Sequence, residues 1–179
     1  LAAHADAGDS WTFVELDPEV VRITSDARWF TYLDRAATKP TVVVEDGRVF
    51  LARETRRFDV IVMDAFASDS VPVHLLTVEA MLLAMSRLEP DGWLAYNVTN
   101  RTLDVPGLVA AAARENGFVA LHRSDRDVPD TERDRGRAPS DWVVVARSAD
   151  ALAALALKPS WRAPVPLTAA WTDDRADVL

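Results

Sequence analysis

Residues Phe58 to Asp64 read FDVIVMD. The chain is unbroken apolar from Val60 to Met63 and then turns acidic at Asp64. A short continuous apolar run marks a strand buried on both faces, as in a parallel sheet. An Asp after such a strand commonly caps the next helix or makes a turn. It can equally be a chemical tool, because ligands of open α/β sheets bind outside the carboxyl ends of the strands.

Two further stretches repeat the pattern upstream. WTFVEL (Trp11–Leu16) is aromatic and β-branched and follows a Gly-Asp-Ser turn, which predicts a strand. Asp17 suits an N-cap and Pro18 the first turn of a helix running to about Tyr32. TVVVE (Thr41–Glu45) is a second strand, broken by Asp46-Gly47 and followed by a short helix from Val49 to Glu54. Downstream of Asp64, apolar spacing predicts a helix near Leu75–Leu88, then a Pro90-Asp91-Gly92 turn and a strand over Gly92–Val98. Val105–Asn116 reads as a helix with Asp104 as N-cap and Gly117 as its stop. Phe118–Ser124 and Asp141–Arg147 are late strands with no helix between them, so they should pair antiparallel. Residues 125–140 are charged and punctuated by Pro and Gly, which predicts a mobile loop. A short Ala/Leu helix over Ala149–Leu157 precedes a Pro-rich tail, 158–179. The order predicts an α/β layer sandwich.

The chain has 179 residues, 49% of them hydrophobic, which suits one domain, 1–179, with a sizeable core. No stretch has the apolar length of a membrane span. No signal peptide is visible, and there are no cysteines, which excludes disulfides and thiolate chemistry and fits a cytoplasmic protein. The balance of 20 basic against 28 acidic residues, net −8, argues against a nucleic-acid partner. His4, His74 and His122 have no mutual metal spacing, and no metal is expected. There is no phosphate loop, G-x-G-x-x-G or G-x-S-x-G. Leu1–Ala7 reads as the last turns of a helix ended near Gly8, an unusual way for a domain to begin, so sequence upstream is expected.

Carboxylates thus end three successive strands: Glu15 with Asp17, Asp46-Gly47, and Asp64. Each alone has an ordinary structural explanation. A Glu at a strand end can accept both hydrogen bonds of a vicinal diol. Asp46 is placed to accept from an exocyclic amine, and Gly47 lets backbone approach a flat ring. Asp64 beside a bound ammonium can help it lose a proton and become a nucleophile.

These residues resemble a known family. VELDPEV (Val14–Val20), EDGRVFL (Glu45–Leu51) and FDVIVMDAF (Phe58–Phe66) are similar to successive motifs of the spermidine synthases. DAFASDSVPVHLLT (Asp64–Thr77) resembles more specifically a bacterial spermidine-synthase-like group. YNVTNR (Tyr96–Arg101), PSDWVV (Pro139–Val144) and WTDD (Trp171–Asp174) resemble that group as well. The resemblance implies the Rossmann-like class I methyltransferase fold, a mostly parallel sheet with an antiparallel strand, here lacking the first strand and its Gly-rich loop. A gap or repaired edge beside VIVMD is therefore expected.

The resemblance also implies a function. Glu15, with Asp17, would bind the ribose of decarboxylated S-adenosylmethionine, and Asp46 and Gly47 the adenine. Asp64 would be the catalytic base or amine-orienting acid in aminopropyl transfer to a polyamine. Asp69 would help grip the amine, although the family places its second Asp three residues after the first and here the spacing is five. Asp173 and Asp174 would approach the substrate, or else belong to a solvated tail. A homodimer is implied, and in the intact protein an upstream membrane segment, as in the nearest relatives. Two other readings stay open: an S-adenosylmethionine-dependent methyltransferase, and a catalytically silent binding module of the same fold.

Overall fold

The computed structural model describes residues 5–65, 72–100 and 102–176. The chain forms two compact units, Leu1–Glu54 and Thr55–Leu179.

In the first unit, β1 (Thr12–Glu15) and β2 (Thr41–Val44) pair in parallel, Thr12 opposite Thr41 and Glu15 opposite Val44. Between them lies α1 (Pro18–Thr24), whose N-cap Asp17 accepts from the Glu19 N–H at 2.8 Å. Pro18 fills the first turn, where no N–H is needed. The helix expected to reach Tyr32 stops at Thr24. The Thr24 hydroxyl bonds back to the Val20 carbonyl at 2.8 Å, and Asp26 Oδ1 takes the Arg28 N–H at 3.0 Å. Such side-chain bonds compete with helical ones. α2 (Gly47–Arg53) begins two residues before the expected Val49, because Asp46 caps it. At the other end of the unit, Ala5–Ala7 are not helical. Asp9 accepts from the Asp6 N–H at 2.9 Å, and Gly8 takes φ 107° in the turn. Phe50 and Leu51 are buried, whereas Leu16, Val44 and Val49 are more than half exposed.

The second unit holds a five-stranded sheet in the order β3-β4-β6-β5-β7. Its strands are β3 (Phe58–Met63), β4 (Leu88–Asn97), β5 (Val119–Asp125), β6 (Ser140–Ala146) and β7 (Trp161–Arg162). β3 and β4 are parallel and are joined through α3 (Val78–Ser86). α4 (Val105–Glu115) connects β4 to β5, and β6 runs antiparallel between those two strands. A one-turn helix, α5 (Asp130–Arg133), interrupts the 125–140 segment. α6 (Ala153–Ala156) follows β6, and the two-residue β7 lies in the Pro-rich stretch where no strand was expected. On one face Leu94 stands opposite Val145 and Tyr96 opposite Val143, all four buried. On the other, Val144, Ala146, Leu152 and Leu155 pack with Trp93, Ala95, Leu121 and Trp161.

Two local expectations are corrected. β3 ends the sheet order rather than lying inside it, and Val60 is 49% exposed. Its apolar run therefore does not mean burial on both faces within this unit. Among the described residues β3 pairs with β4 alone, so VIVMD forms an edge of its sheet. The Pro90–Gly92 turn, in contrast, is a bulge inside β4: Phe58 pairs with Leu88 and Val60 with Trp93, so Glu89–Gly92 loop out opposite Asp59. A Cβ at Gly92 would stand 3.0 Å from the Asp59 carbonyl, so a side chain there would have to push the neighbouring main chain by a few tenths of an ångström.

The chain after β7 is a strap. Leu167 N–H donates to the Gly107 carbonyl on α4 at 2.9 Å, and Val78 N–H at the start of α3 donates to the Trp171 carbonyl at 2.9 Å. No helix of the described residues is long and apolar enough to cross a membrane.

Candidate active site

The first unit presents its acids at one sheet edge, since β1 and β2 are parallel neighbours with Glu15 opposite Val44. Glu15 Oε1 accepts from the Asp17 N–H at 2.9 Å, which curls the chain after β1. Asp17 is at once the cap of α1. Asp46 Oδ1 accepts from the Arg48 and Val49 N–H groups at 2.9 and 3.0 Å, so this carboxylate closes a helix start. A Cβ built on Gly47 meets open space. The absence of a side chain there is not demanded by packing within the fold, which is what a ring-approach position requires.

In the second unit Asp64 follows β3 directly and is exposed. Asn97, at the end of β4, donates from Nδ2 to Asp64 Oδ1 at 2.7 Å. The register explains the meeting: Met63 pairs with Tyr96, so the next residue of each strand falls at the same carboxyl edge. The Asn97 carboxamide is itself held. Its Oδ1 accepts from the Thr99 N–H at 3.1 Å and the Thr99 hydroxyl at 2.6 Å.

Behind this pair sits a buried acid, Asp141, at the start of β6. Its N–H donates to Thr99 Oγ1 at 2.9 Å, and its carbonyl accepts from the Val98 N–H at 2.9 Å. Arg126 places Nε 2.6 Å from Asp141 Oδ2 and donates to the Asn100 carbonyl at 2.9 Å. His122 Nε2 lies 3.5 Å from Asp141 Oδ1, an ion-pair distance too long for a hydrogen bond. Burial alone would push the Asp141 carboxyl up. Hydrogen bonds from Ser124 and Arg126, with the charges of Arg126 and His122, outweigh it and hold the group below the usual carboxylate range.

The tail acids take other places. Asp173 accepts from the Thr77 hydroxyl at 2.8 Å, and its own N–H donates to Glu79 at 3.0 Å, so it braces the first turn of α3. Asp174 follows in the turn between the bridged residues Thr172 and Arg175. Asp69 lies outside the described residues. Asn97, the partner of Asp64, and Thr99 and Asp141 behind it carried no assigned role in the sequence. Their signal was there, since they fall in YNVTNR and PSDWVV.

No family model matches the chain. A probable polyamine aminopropyl transferase of Bifidobacterium longum (strain NCC 2705) is 29% identical over 123 residues, 67% of this chain. The chain spans only 26% of that relative's length. Among solved structures, a probable spermidine synthase from Corynebacterium glutamicum ATCC 13032 superposes with a TM-score of 0.60 at 19% identity, over 94% of this chain and 65% of that one. Human methyltransferase-like protein 13, in complex with SAH, superposes with a TM-score of 0.52 at 17% identity, over 83% of this chain and 68% of the other. The chain is thus similar in sequence to a polyamine aminopropyl transferase, and its architecture is that of the α/β Rossmann-like class I methyltransferase fold.

Proposed function

We propose that this chain is the catalytic part of an aminopropyltransferase of the spermidine synthase type, which moves an aminopropyl group from decarboxylated S-adenosylmethionine to a polyamine. The observation that carries the reading is Asp64, an exposed carboxylate at the end of β3 that is oriented by Asn97. It falls inside a sequence similar to a polyamine aminopropyl transferase.

The reaction is an in-line displacement. The amine lone pair forms a bond to the propyl carbon attached to the sulfonium. That carbon–sulfur bond breaks, its electrons stay on sulfur, and methylthioadenosine leaves. The attacking nitrogen gives up its proton to Asp64. In this role Asp64 orients the incoming ammonium through charge and takes its proton first, which frees the lone pair that forms the bond. Asp64 Oδ2 makes no hydrogen bond among the described residues, so an oxygen is left for the amine. Glu15 would accept from the ribose diol, with Asp17 fixing its carboxylate through the main chain. Asp46 and Gly47 would meet the adenine. Asp69, Asp173 and Asp174 would contribute negative charge for the distal ammonium.

A methyl transfer from S-adenosylmethionine is the second reading, favoured by the likeness in fold to a methyltransferase. Calorimetry separates the two. The first expects decarboxylated S-adenosylmethionine and methylthioadenosine to bind, with S-adenosylmethionine at least tenfold weaker; the reverse order would support methyl transfer. Binding of none of the three would leave a silent module. Gly47→Ala should keep the unfolding midpoint and lose nucleoside binding, because the added methyl points into open space. Asp64→Asn should abolish turnover while nucleoside binding stays; native turnover in that variant would remove Asp64 from the mechanism.

A further inference from the structure

The hydrogen bonds around Asp64 have a direction, and it follows from donor chemistry alone. A main-chain N–H can only donate, so the Asp141 N–H gives its proton to Thr99 Oγ1 at 2.9 Å. Thr99 Oγ1 therefore accepts on that side and sends its own proton to Asn97 Oδ1 at 2.6 Å. The Thr99 N–H also faces Asn97 Oδ1, at 3.1 Å, which fixes the carboxamide with oxygen toward Thr99. Its NH₂ is then left to point at Asp64 Oδ1, 2.7 Å away. A flipped carboxamide would set NH₂ against two donors and an amide oxygen against a carboxylate.

The far end of this chain is anchored. Asp141 is 1% exposed, bonded through its carbonyl to Val98, and clamped by Arg126, which also holds the Asn100 carbonyl. The ends of β4 and β6 and the start of the segment after β5 are thereby tied to one another. A short side chain at the rim of a sheet otherwise samples several rotamers. Here the rotamer of Asn97 is set from the buried side.

We infer that Asn97 and Thr99 are positioning residues: the chain Asp141 N–H to Thr99 to Asn97 holds the Asp64 carboxylate in a single orientation for the amine. The inference rests on the aminopropyl-transfer reading for what Asp64 does, but the chain itself can be tested without turnover. Thr99 is the residue to change, because it does not touch Asp64. Thr99→Val removes the hydroxyl and keeps the shape. Thr99→Ser keeps the hydroxyl.

Two measurements decide the matter. By NMR, the Asn97 side-chain NH₂ of the wild type should give two separate resonances protected from solvent exchange. Thr99→Val should cut that protection about tenfold, and Thr99→Ser should restore it. In steady-state assays with 1,4-diaminobutane and decarboxylated S-adenosylmethionine, Thr99→Val should lower kcat about tenfold and Asn97→Ala more. KM for the nucleoside should stay within about twofold in both, since uniform binding is untouched. A variant damaged merely in folding would instead lose active fraction, and Thr99→Ser would not rescue its kcat.

Native Asn97 protection in Thr99→Val overturns the chain. Native kcat in Asn97→Ala beside an inactive Asp64→Asn overturns the positioning role alone. Native turnover in Asp64→Asn, with Asn97 still protected, overturns the catalytic reading of Asp64 and leaves the chain standing as structure. A wild type without turnover overturns the aminopropyl reading, and the positioning of a reacting carboxylate with it.

Discussion

Glu15, Asp17 and Asp46 in the first unit and Asp64, Asp141 and Asp173 in the second are held in opposite ways. In the first, Glu15, Asp17 and Asp46 accept from N–H groups two or three residues further along the chain. In the second, the carboxylates of Asp64, Asp141 and Asp173 meet Asn97 across 33 residues, Arg126 across 15 and Thr77 across 96. A carboxylate bonded to its own turn keeps that geometry whenever the turn forms. One bonded across a sheet keeps it only while the sheet is whole. The candidate acids of the first unit are thus built into local chain, and Asp64 into tertiary structure.

Asp141→Ala should break this contrast most strongly. It removes a buried carboxylate and its hydrogen bonds to half-exposed Arg126, a change that costs about 1.5–3 kcal/mol. The urea midpoint of the whole chain should fall accordingly. An unchanged midpoint would mean that the clamp is not a tertiary support. The same group predicts an acid limb. Its folded-state pKa lies below the unfolded value, so its stabilisation is complete above the ordinary carboxylate range. That stabilisation is lost as pH falls from there through the folded value. Asp141→Asn should flatten the stability profile on the acid side of the ordinary Asp range, below about pH 4.

Asp46→Ala should cost less, about 1 kcal/mol, because it removes the N-cap of a short helix. Circular dichroism across a urea titration is the measure, and a loss as large as that of Asp141→Ala would erase the distinction between the units. The smallest effect is of opposite sign. Tyr96 is fully buried, and its hydroxyl has no partner among the described residues. Tyr96→Phe deletes an unsatisfied polar atom and should leave stability unchanged or raise it by up to about 1 kcal/mol. A clear loss would reveal a partner for that hydroxyl.

The same contrast explains what could be read beforehand. Cap residues such as Asp17 and Asp104 act on their own neighbours, so spacing alone exposes them. The antiparallel pairing of the last long strands follows from the missing crossover helix. Three features escaped. The end of α1 at Thr24 depends on competing side-chain bonds rather than on periodicity. The exposure of Val60 depends on β3 standing first in the sheet, a matter of strand order that an apolar run does not encode. The Asn97–Thr99–Asp141 chain depends on β6 entering between β4 and β5, which brings PSDWVV beside YNVTNR from 42 residues away. Both motifs were visible as motifs, but their partnership was not.

The strap after β7 sets an order of events. The first turn of α3 receives the Trp171 carbonyl on the Val78 N–H and the Asp173 carboxylate on the Thr77 hydroxyl. These residues are made well after the helix they finish, since Asp173 follows Thr77 by 96 residues. Contacts so distant along the chain are paid for late in folding. A growing chain can pair β3 with β4 and close α4 over the sheet while the start of α3 still frays. Completion of that helix start therefore waits until the chain has been made as far as Asp173.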